Sequence, residues 1–109
     1  MLIKVEENKE NEKYEYIKHV LSNEDFNSIK KDIEKEMQKC GKDSAISLVS
    51  IFGSDWTNTS MQAVYNALGD VKEAGKYAGI ILKEIIYGNR DYYFEQKKLK
   101  NGMSCYYKR

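Results

Sequence analysis

The chain has 109 residues, which is enough for one domain, residues 1–109, with a modest hydrophobic core. Apolar residues make up 41% and charged residues 32% of the sequence, a balance that excludes a wholly disordered chain. No apolar run approaches the roughly 18 residues of a membrane-spanning helix, and the acidic N-terminal stretch lacks the apolar segment of a secretory signal. We therefore expect a cytoplasmic protein without a membrane partner.

The net charge of +1 conceals an uneven distribution along the chain. Residues 1–87 contain 12 Lys and Arg against 15 Asp and Glu, whereas residues 88–109 contain six against two. Positive charge is thus concentrated in the last fifth of the chain, where it favours an anionic partner. Cys40, Cys105 and His19 are too few to form a zinc site, so we expect no metal and no cofactor. Two free thiols are favoured over a disulfide.

Two strands are predicted at the N-terminus. Residues 2–5 read Leu-Ile-Lys-Val, the composition of a short strand. A polar segment follows, and then Tyr14 and Tyr16 alternate with charged residues, which is typical of a second strand.

A first helix is predicted from Ser22 or Asn23, either of which can cap it, to Lys39. Apolar residues at helical spacing predict its buried face: Phe26, Ile29, Ile33 and Met37. Gly41 suits the left-handed conformation that often ends a helix. Residues 43–53 are apolar on nearly all sides, and their pattern does not decide between a short buried helix, which the polar start favours, and a central strand.

Two further helices are predicted on either side of a tight turn at Gly69-Asp70. The first opens at Thr59, which together with Gln62 matches the capping-box pattern. The second covers residues 71–89, and its apolar residues at steps of three and four predict a buried stripe: Val71, Ala74, Ala78, Ile81 and Ile85.

The opposite face of the last helix combines lysines with glycines at helical spacing: Lys72, Lys76, Gly79 and Lys83. Gly75 lies one turn before Gly79, and each glycine costs about 1 kcal/mol relative to alanine inside a helix. Close approach of another backbone would offset that cost, whether from a neighbouring helix, a second subunit or a phosphate strand. Dimer or helix packing is the interpretation that the sequence favours for Gly75 and Gly79.

A β-hairpin is predicted around Asn101-Gly102, because this pair favours the positive φ values of a tight hairpin turn. A two-residue loop and a three-residue loop both fit the sequence, and only the three-residue loop pairs Leu99 with Met103. The lysines at the tip fit a phosphate contact about as well as simple solubility or protection of an exposed strand. For the tyrosines of this segment, packing against the helices is favoured.

The order of elements over residues 22–109 resembles the winged helix-turn-helix family: a helix, a buried segment, a short helix, a glycine-containing turn, a longer helix and a β-hairpin. The resemblance implies an α+β fold with N-terminal strands, a helical core and a C-terminal β-hairpin wing. In that family the second helix of the unit enters the major groove, and the wing contacts the backbone or the minor groove. We therefore expect non-enzymatic, sequence-specific binding of double-stranded DNA, by a homodimer on repeated or palindromic sites.

Carried over to this chain, the resemblance implies DNA contacts from ten residues: Lys4, Lys72, Lys76, Arg90, Lys97, Lys98, Lys100, Asn101, Lys108 and Arg109. The wing is expected to contribute more than the helix, which offers no Arg, Asn or Gln before Asn89. The small size and lysine-rich composition are also similar to accessory DNA-binding proteins of clostridial conjugative plasmids, which mark the transfer origin. That similarity implies a relaxase or another DNA-processing protein as a partner.

The alternative function is a protein-binding module, for example a small mobile-element inhibitor, that acts through a tyrosine-rich surface. Catalysis is not expected. Gly53-Ser54 matches the start of a nucleotidyltransferase site, but the paired acids that would hold the metal do not follow at the required spacing.

Overall fold

A computed structural model describes residues 2–8, 11–100 and 102–109 and has a mixed α+β fold. Within these ranges it contains five helices and a four-stranded antiparallel sheet. The elements in chain order are β1 (Ile3–Lys4), α1 (Glu12–Val20), α2 (Asn23–Lys39), β2 (Ala45–Ile46), α3 (Leu48–Phe52), α4 (Gln62–Leu68), α5 (Val71–Gly88), β3 (Phe94–Lys98) and β4 (Ser104–Lys108). The strand order in the sheet is β1-β3-β4-β2.

Helix α5 is the centre of the core, and α1, α2, α3 and α4 all pack against it. Its inward face is apolar: Ala74, Ala78, Ile81, Leu82, Ile85 and Ile86 are buried. Burial of each large side chain contributes roughly 1.5–3 kcal/mol to folding. The predicted stripe is confirmed except at Val71, which is 69% exposed because it is the first residue of the helix and lies before the packed turns.

The first predicted strand is confirmed as β1, but the second is wrong, because residues 12–20 form helix α1. Asn11 caps this helix by accepting hydrogen bonds from the backbone amides of Lys13 and Tyr14, at 3.0 and 3.2 Å. Ile17, which directly follows Tyr16 in α1, is fully buried, whereas Tyr16 is half exposed. Burial of one helical stripe against α5 therefore outweighs the local alternation of tyrosine and charge.

Helix α2 starts as predicted and ends differently. The Ser22 hydroxyl caps it by accepting a hydrogen bond from a first-turn amide at 3.0 Å. Gly41 is not among the described residues with positive φ, so the left-handed end predicted there is wrong. Instead the Lys108 ammonium donates to the carbonyl oxygens of Met37 and Cys40, at 2.9 and 2.8 Å. A cation from the sheet thus satisfies the carbonyl groups that a helix end leaves open.

Lys108 therefore joins the end of α2 to β4, and its ammonium also lies 3.9 Å from the centre of the Tyr92 ring. Lys108→Met keeps the aliphatic stem but removes the donors. We expect it to lower the free energy of unfolding by about 1–3 kcal/mol, because two partly buried carbonyl groups lose their partner. The matched variant Lys97→Met, at an exposed site on β3, should change it by less than about 0.5 kcal/mol. Urea unfolding followed by circular dichroism compares the two, and equal losses would contradict the capping role.

Residues 43–53 form two short elements instead of the single helix or strand considered from the sequence. Ala45–Ile46 pairs with β4 as strand β2, and the chain then turns into α3. Ser47 caps α3: its hydroxyl accepts from the Ser50 amide at 3.2 Å, and the Ser50 hydroxyl accepts from the Ser47 amide at 2.8 Å. This reciprocal cap stabilises the change of direction.

Helix α4 begins at Gln62, later than predicted. The Thr59 hydroxyl donates to the Trp56 carbonyl oxygen at 2.6 Å and does not cap the helix. The tight turn between α4 and α5 is confirmed. Gly69 ends α4 at a φ of 69°, and the Asp70 side chain caps α5 by accepting from two first-turn amides.

Strands β3 and β4 are the central strands of the sheet, and they form the predicted hairpin. The Leu99 amide donates to the Met103 carbonyl oxygen at 2.8 Å, so the three-residue connection is confirmed and the two-residue alternative is wrong. Gly102 supplies a positive φ of 84° in this connection. Because β1 and β2 pair only near the base of the hairpin, its tip half extends beyond both.

Cys40 and Cys105 are both free thiols, as predicted. Burial raises the pKa of the Cys40 thiol, and the nearby Lys108 ammonium offsets part of that rise. No helix in the described ranges combines the length and the apolar character needed to cross a membrane.

Candidate nucleic-acid interface

A groove with a volume of about 630 Å³ lies between α5 and the β3–β4 hairpin, and we call it the α5–hairpin groove. Leu48 of α3 and the N-terminal residues Asn8 and Asn11 complete its walls. The described lining residues from α5 are Lys72, Gly75, Lys76, Gly79, Ile80, Leu82 and Lys83, and those from the hairpin are Gln96, Lys98, Gly102, Met103, Ser104 and Tyr106.

The charge of this groove has one sign. Four lysines line it, Lys72, Lys76, Lys83 and Lys98, and no aspartate or glutamate occurs among its described lining residues. Lys76 pairs with Glu73 at 3.3 Å, but an exposed pair within one helix contributes little. The other three lysines form no ion pair with any carboxylate in the described part of the chain. Such a set of like charges attracts an anionic ligand.

Gly75 and Gly79 line the α5–hairpin groove on its α5 side, and we call this stretch of open backbone the glycine floor. A Cβ added at either position would meet no atom within 4 Å in the described chain, outside the backbone of the helix itself. No described helix of this chain therefore approaches the two glycines closely. Dimer or helix packing at Gly75 and Gly79 stays a prediction, and the open space is compatible with the approach of a second subunit or a nucleic acid.

The neighbouring lysines of β3 point to opposite faces of the sheet, as successive strand residues do. Lys98 lines the groove, whereas Lys97 is exposed on the other face, where it pairs with Cys105. Lys100 is exposed at the start of the connection. Asn101, which was also predicted to contact DNA, lies outside the described residues.

Two predicted DNA contacts at the base of the hairpin form contacts with other parts of the molecule. Lys108 donates to the end of α2, as described above. Arg109 forms ion pairs with Asp43 at 3.1 Å and with Glu95 at 3.3 Å. Neither residue lines the α5–hairpin groove, so we leave Lys108 and Arg109 out of the candidate interface, although the resemblance implied them. Their positive charge is used to hold the sheet to α2 and to the loop before β2.

The remaining two predicted contacts lie away from the groove lining. Lys4 lines a separate cleft of about 140 Å³ together with Tyr87 and Tyr93. Arg90 is exposed in the loop between α5 and β3. Neither residue is brought together with the lysines of α5.

A polar network that the sequence analysis missed lies on the hairpin side of the groove. Gln96, only 5% exposed, donates from Nε2 to the Ser104 Oγ at 2.8 Å. The Ser104 and Tyr106 hydroxyl groups are hydrogen-bonded to each other. Positions 96, 104 and 106 share one face of the hairpin only when the loop has three residues. The sequence left the loop length open, so it did not predict that these three side chains meet.

Burial raises the pKa of Tyr106 to about 12, and its hydrogen bond with Ser104 offsets part of the rise. The pKa of a tyrosine phenol is near 10 in the unfolded chain, and that of Tyr106 is higher in the folded protein. The phenol therefore contributes fully to stability below pH 10, and this contribution is lost as the pH rises towards 12. We expect the difference in unfolding free energy between wild type and Tyr106→Phe to shrink by about 1 kcal/mol from pH 9 to pH 11. Urea unfolding at both pH values measures it, and a constant difference would contradict the burial of this phenol.

Comparison with known proteins identifies no matching family model, no matching curated protein and no matching solved structure. In the ranges that the structure describes, no three His, Cys, Asp or Glu side chains are grouped as metal ligands would be. What the groove binds is therefore inferred from its own residues.

Proposed function

We propose that this is a non-enzymatic protein of the winged helix-turn-helix class that binds double-stranded DNA through the α5–hairpin groove. The observation that carries the proposal is the set of four lysines that line the groove around the glycine floor. No aspartate or glutamate occurs among the described lining residues. Lysine charge supplies most of the affinity for a polyanion through release of its counterions. The bare floor lets a phosphate strand come close to the helix backbone.

Two features of the fold support the winged-helix class. Helices α4 and α5 pack together across the turn at Gly69-Asp70, and α5 presents its lysines on the side away from the core. The β3–β4 hairpin follows α5 directly, and residues from its tip line the same groove. One helix and one hairpin can therefore contact the same duplex.

The proposed contact set differs from the set that the resemblance implies and consists of the four lysines that line the groove: Lys72, Lys76, Lys83 and Lys98. Lys100, which is exposed outside that lining, stays a prediction of the resemblance. Lys83 is included because it lines the groove on the same helical face as Lys72 and Lys76. The homodimer and the role beside a relaxase at a transfer origin stay predictions of the resemblance.

The neighbours Lys98 and Lys97 provide a matched test of the proposal. Lys98→Gln should weaken duplex binding about three- to tenfold and reduce the magnitude of the slope of log affinity against log salt by about 1. Lys97→Gln removes the same charge from the opposite face and should change the affinity by less than about twofold. Fluorescence anisotropy with a labelled duplex at several salt concentrations measures both. Equal weakening by the two variants, or no salt-dependent binding by the wild type, would reject the groove as the DNA site.

A second candidate function is protein binding through exposed tyrosines. Tyr93 is 54% and Tyr87 43% exposed, and both line the small cleft that also contains Lys4. Exposed tyrosines suit the centre of protein interfaces. Recovery of one stoichiometric protein partner that Tyr93→Ala no longer binds, combined with no retention on DNA, would favour this function over the first.

A further inference from the structure

We infer that the α5–hairpin groove holds the sugar–phosphate backbone of duplex DNA and reads no base edge, so that affinity is nearly independent of base sequence. This inference rests on the proposed function and narrows it, because the resemblance implies sequence-specific binding. Reading a base requires side chains that offer free donors and acceptors to the base edge. In the described walls of this groove, each side-chain amide already forms at least one hydrogen bond within the protein.

The two asparagines of the groove wall are both engaged. The Asn8 amide nitrogen donates to the Ile80 carbonyl oxygen at 3.1 Å and to the Glu84 carboxylate at 3.2 Å, which uses both of its hydrogens. The Asn11 side-chain oxygen accepts from two amides of α1, which uses both of its lone pairs. Bidentate recognition of adenine needs a donor and an acceptor on the same amide, so neither asparagine can supply it.

The hairpin wall is equally committed. Gln96 is buried, and its amide nitrogen donates to the Ser104 hydroxyl at 2.8 Å. Ser104 is in turn hydrogen-bonded to Tyr106, which is 2% exposed. Gln96 and Tyr106 are buried, so a base edge could pair with them only by breaking their hydrogen bonds to the half-buried Ser104, which is unfavourable.

The groups that the groove offers to DNA are the lysine ammonium groups and the open backbone at Gly75 and Gly79. Lysine ammonium groups are compact point charges that suit phosphate, whereas arginine has the planar fork that most often reads guanine. The chain contains two arginines, of which Arg90 does not line the groove and Arg109 is held by Asp43 and Glu95. The described lining residues are therefore suited to bind phosphates and to position a duplex, and not to read base edges.

Selection from a pool of duplexes of about 20 base pairs with random sequence, using the full-length protein, tests this inference. Enriched and unselected duplexes should bind within about tenfold of each other, whereas sequence-specific proteins prefer their sites by about 10³- to 10⁷-fold. The slope of log affinity against log salt should be about −3 to −4 for every duplex, as four lysine–phosphate contacts require.

A duplex that binds more than about 100-fold tighter than the unselected pool would overturn the inference and leave the proposed function standing. A guanine contact by one of the groove lysines would be revealed in this way, as enrichment of one base at one position. Retention of no duplex at low salt would instead overturn the proposed function itself.

Discussion

Replacing Lys72, Lys83 and Lys98 together with glutamine is expected to weaken binding to duplex DNA by about 100-fold at low salt. These residues bring positive charge into the groove from two turns of α5 and from β3, and none of them forms an ion pair with a described carboxylate. Each lost phosphate contact reduces the magnitude of the slope of log affinity against log salt by about 0.9, so the magnitude should decrease by about 3. Anisotropy titrations at several salt concentrations give both quantities.

The matched control replaces Lys30, Lys35 and Lys39 with glutamine. All three are exposed on α2 and none lines the α5–hairpin groove, so this variant has the same net charge as the groove variant. We expect it to bind within about threefold of the wild type, because charges outside the contact act only through screened, long-range attraction. If the two triple variants lose affinity equally, net charge and not the groove determines binding. Circular dichroism should show that both are folded.

Gly79→Leu is expected to separate stability from binding. A Cβ added there would meet no described atom within 4 Å, and leucine favours a helix interior over glycine by about 0.8 kcal/mol. The free energy of unfolding should therefore rise by about 0.5–1 kcal/mol. Duplex affinity should fall at least about tenfold, because the new side chain occupies the floor that a phosphate strand must approach. Thermal unfolding and anisotropy measure the two effects on one preparation.

Gly88→Leu is the control for this prediction. Gly88 belongs to the same helix and also has open space around it, but it does not line the groove. The Gly88→Leu variant should therefore bind duplex DNA within about twofold of the wild-type affinity. Sedimentation of Gly79→Leu tests the other explanation for the glycine floor. A dimer that dissociates in this variant would assign the floor to a second subunit and would contradict the DNA groove.

The basic residues of the C-terminal hairpin have at least two different environments. Lys108 and Arg109 form contacts within the molecule, the first with carbonyl groups at the end of α2 and the second with Asp43 and Glu95. Lys98, one pair of residues from the tip, lines the open groove instead. A count of positive charge in the sequence does not distinguish these environments, because a lysine that caps a distant helix has the same local pattern as one that faces solvent.

Local patterns predicted the elements whose signals lie within a few residues. The Ser22 cap is confirmed, and the apolar stripe of α2 is confirmed at Ile29, Ile33 and Met37, with Phe26 partly buried. The turn at Gly69-Asp70 and the length of α5 are confirmed as well. The same reasoning failed for α1, whose tyrosine alternation indicated a strand. It also failed at Gly41, where a distant lysine supplies the cap that a left-handed glycine would otherwise provide. In both cases a contact from far along the chain outweighed the local preference.

The sequence by itself determined the buried stripe of α5, the cationic hairpin and the face on which lysines alternate with glycines, because each follows from spacing along one element. Only the tertiary structure decided that the inner face of the hairpin lies beside the lysine face of α5, while Lys97, Lys108 and Arg109 face or bond elsewhere. Hairpin register and the packing of sheet against helix fix those directions. Both depend on contacts between residues far apart in the chain, for which a single sequence has no local signal.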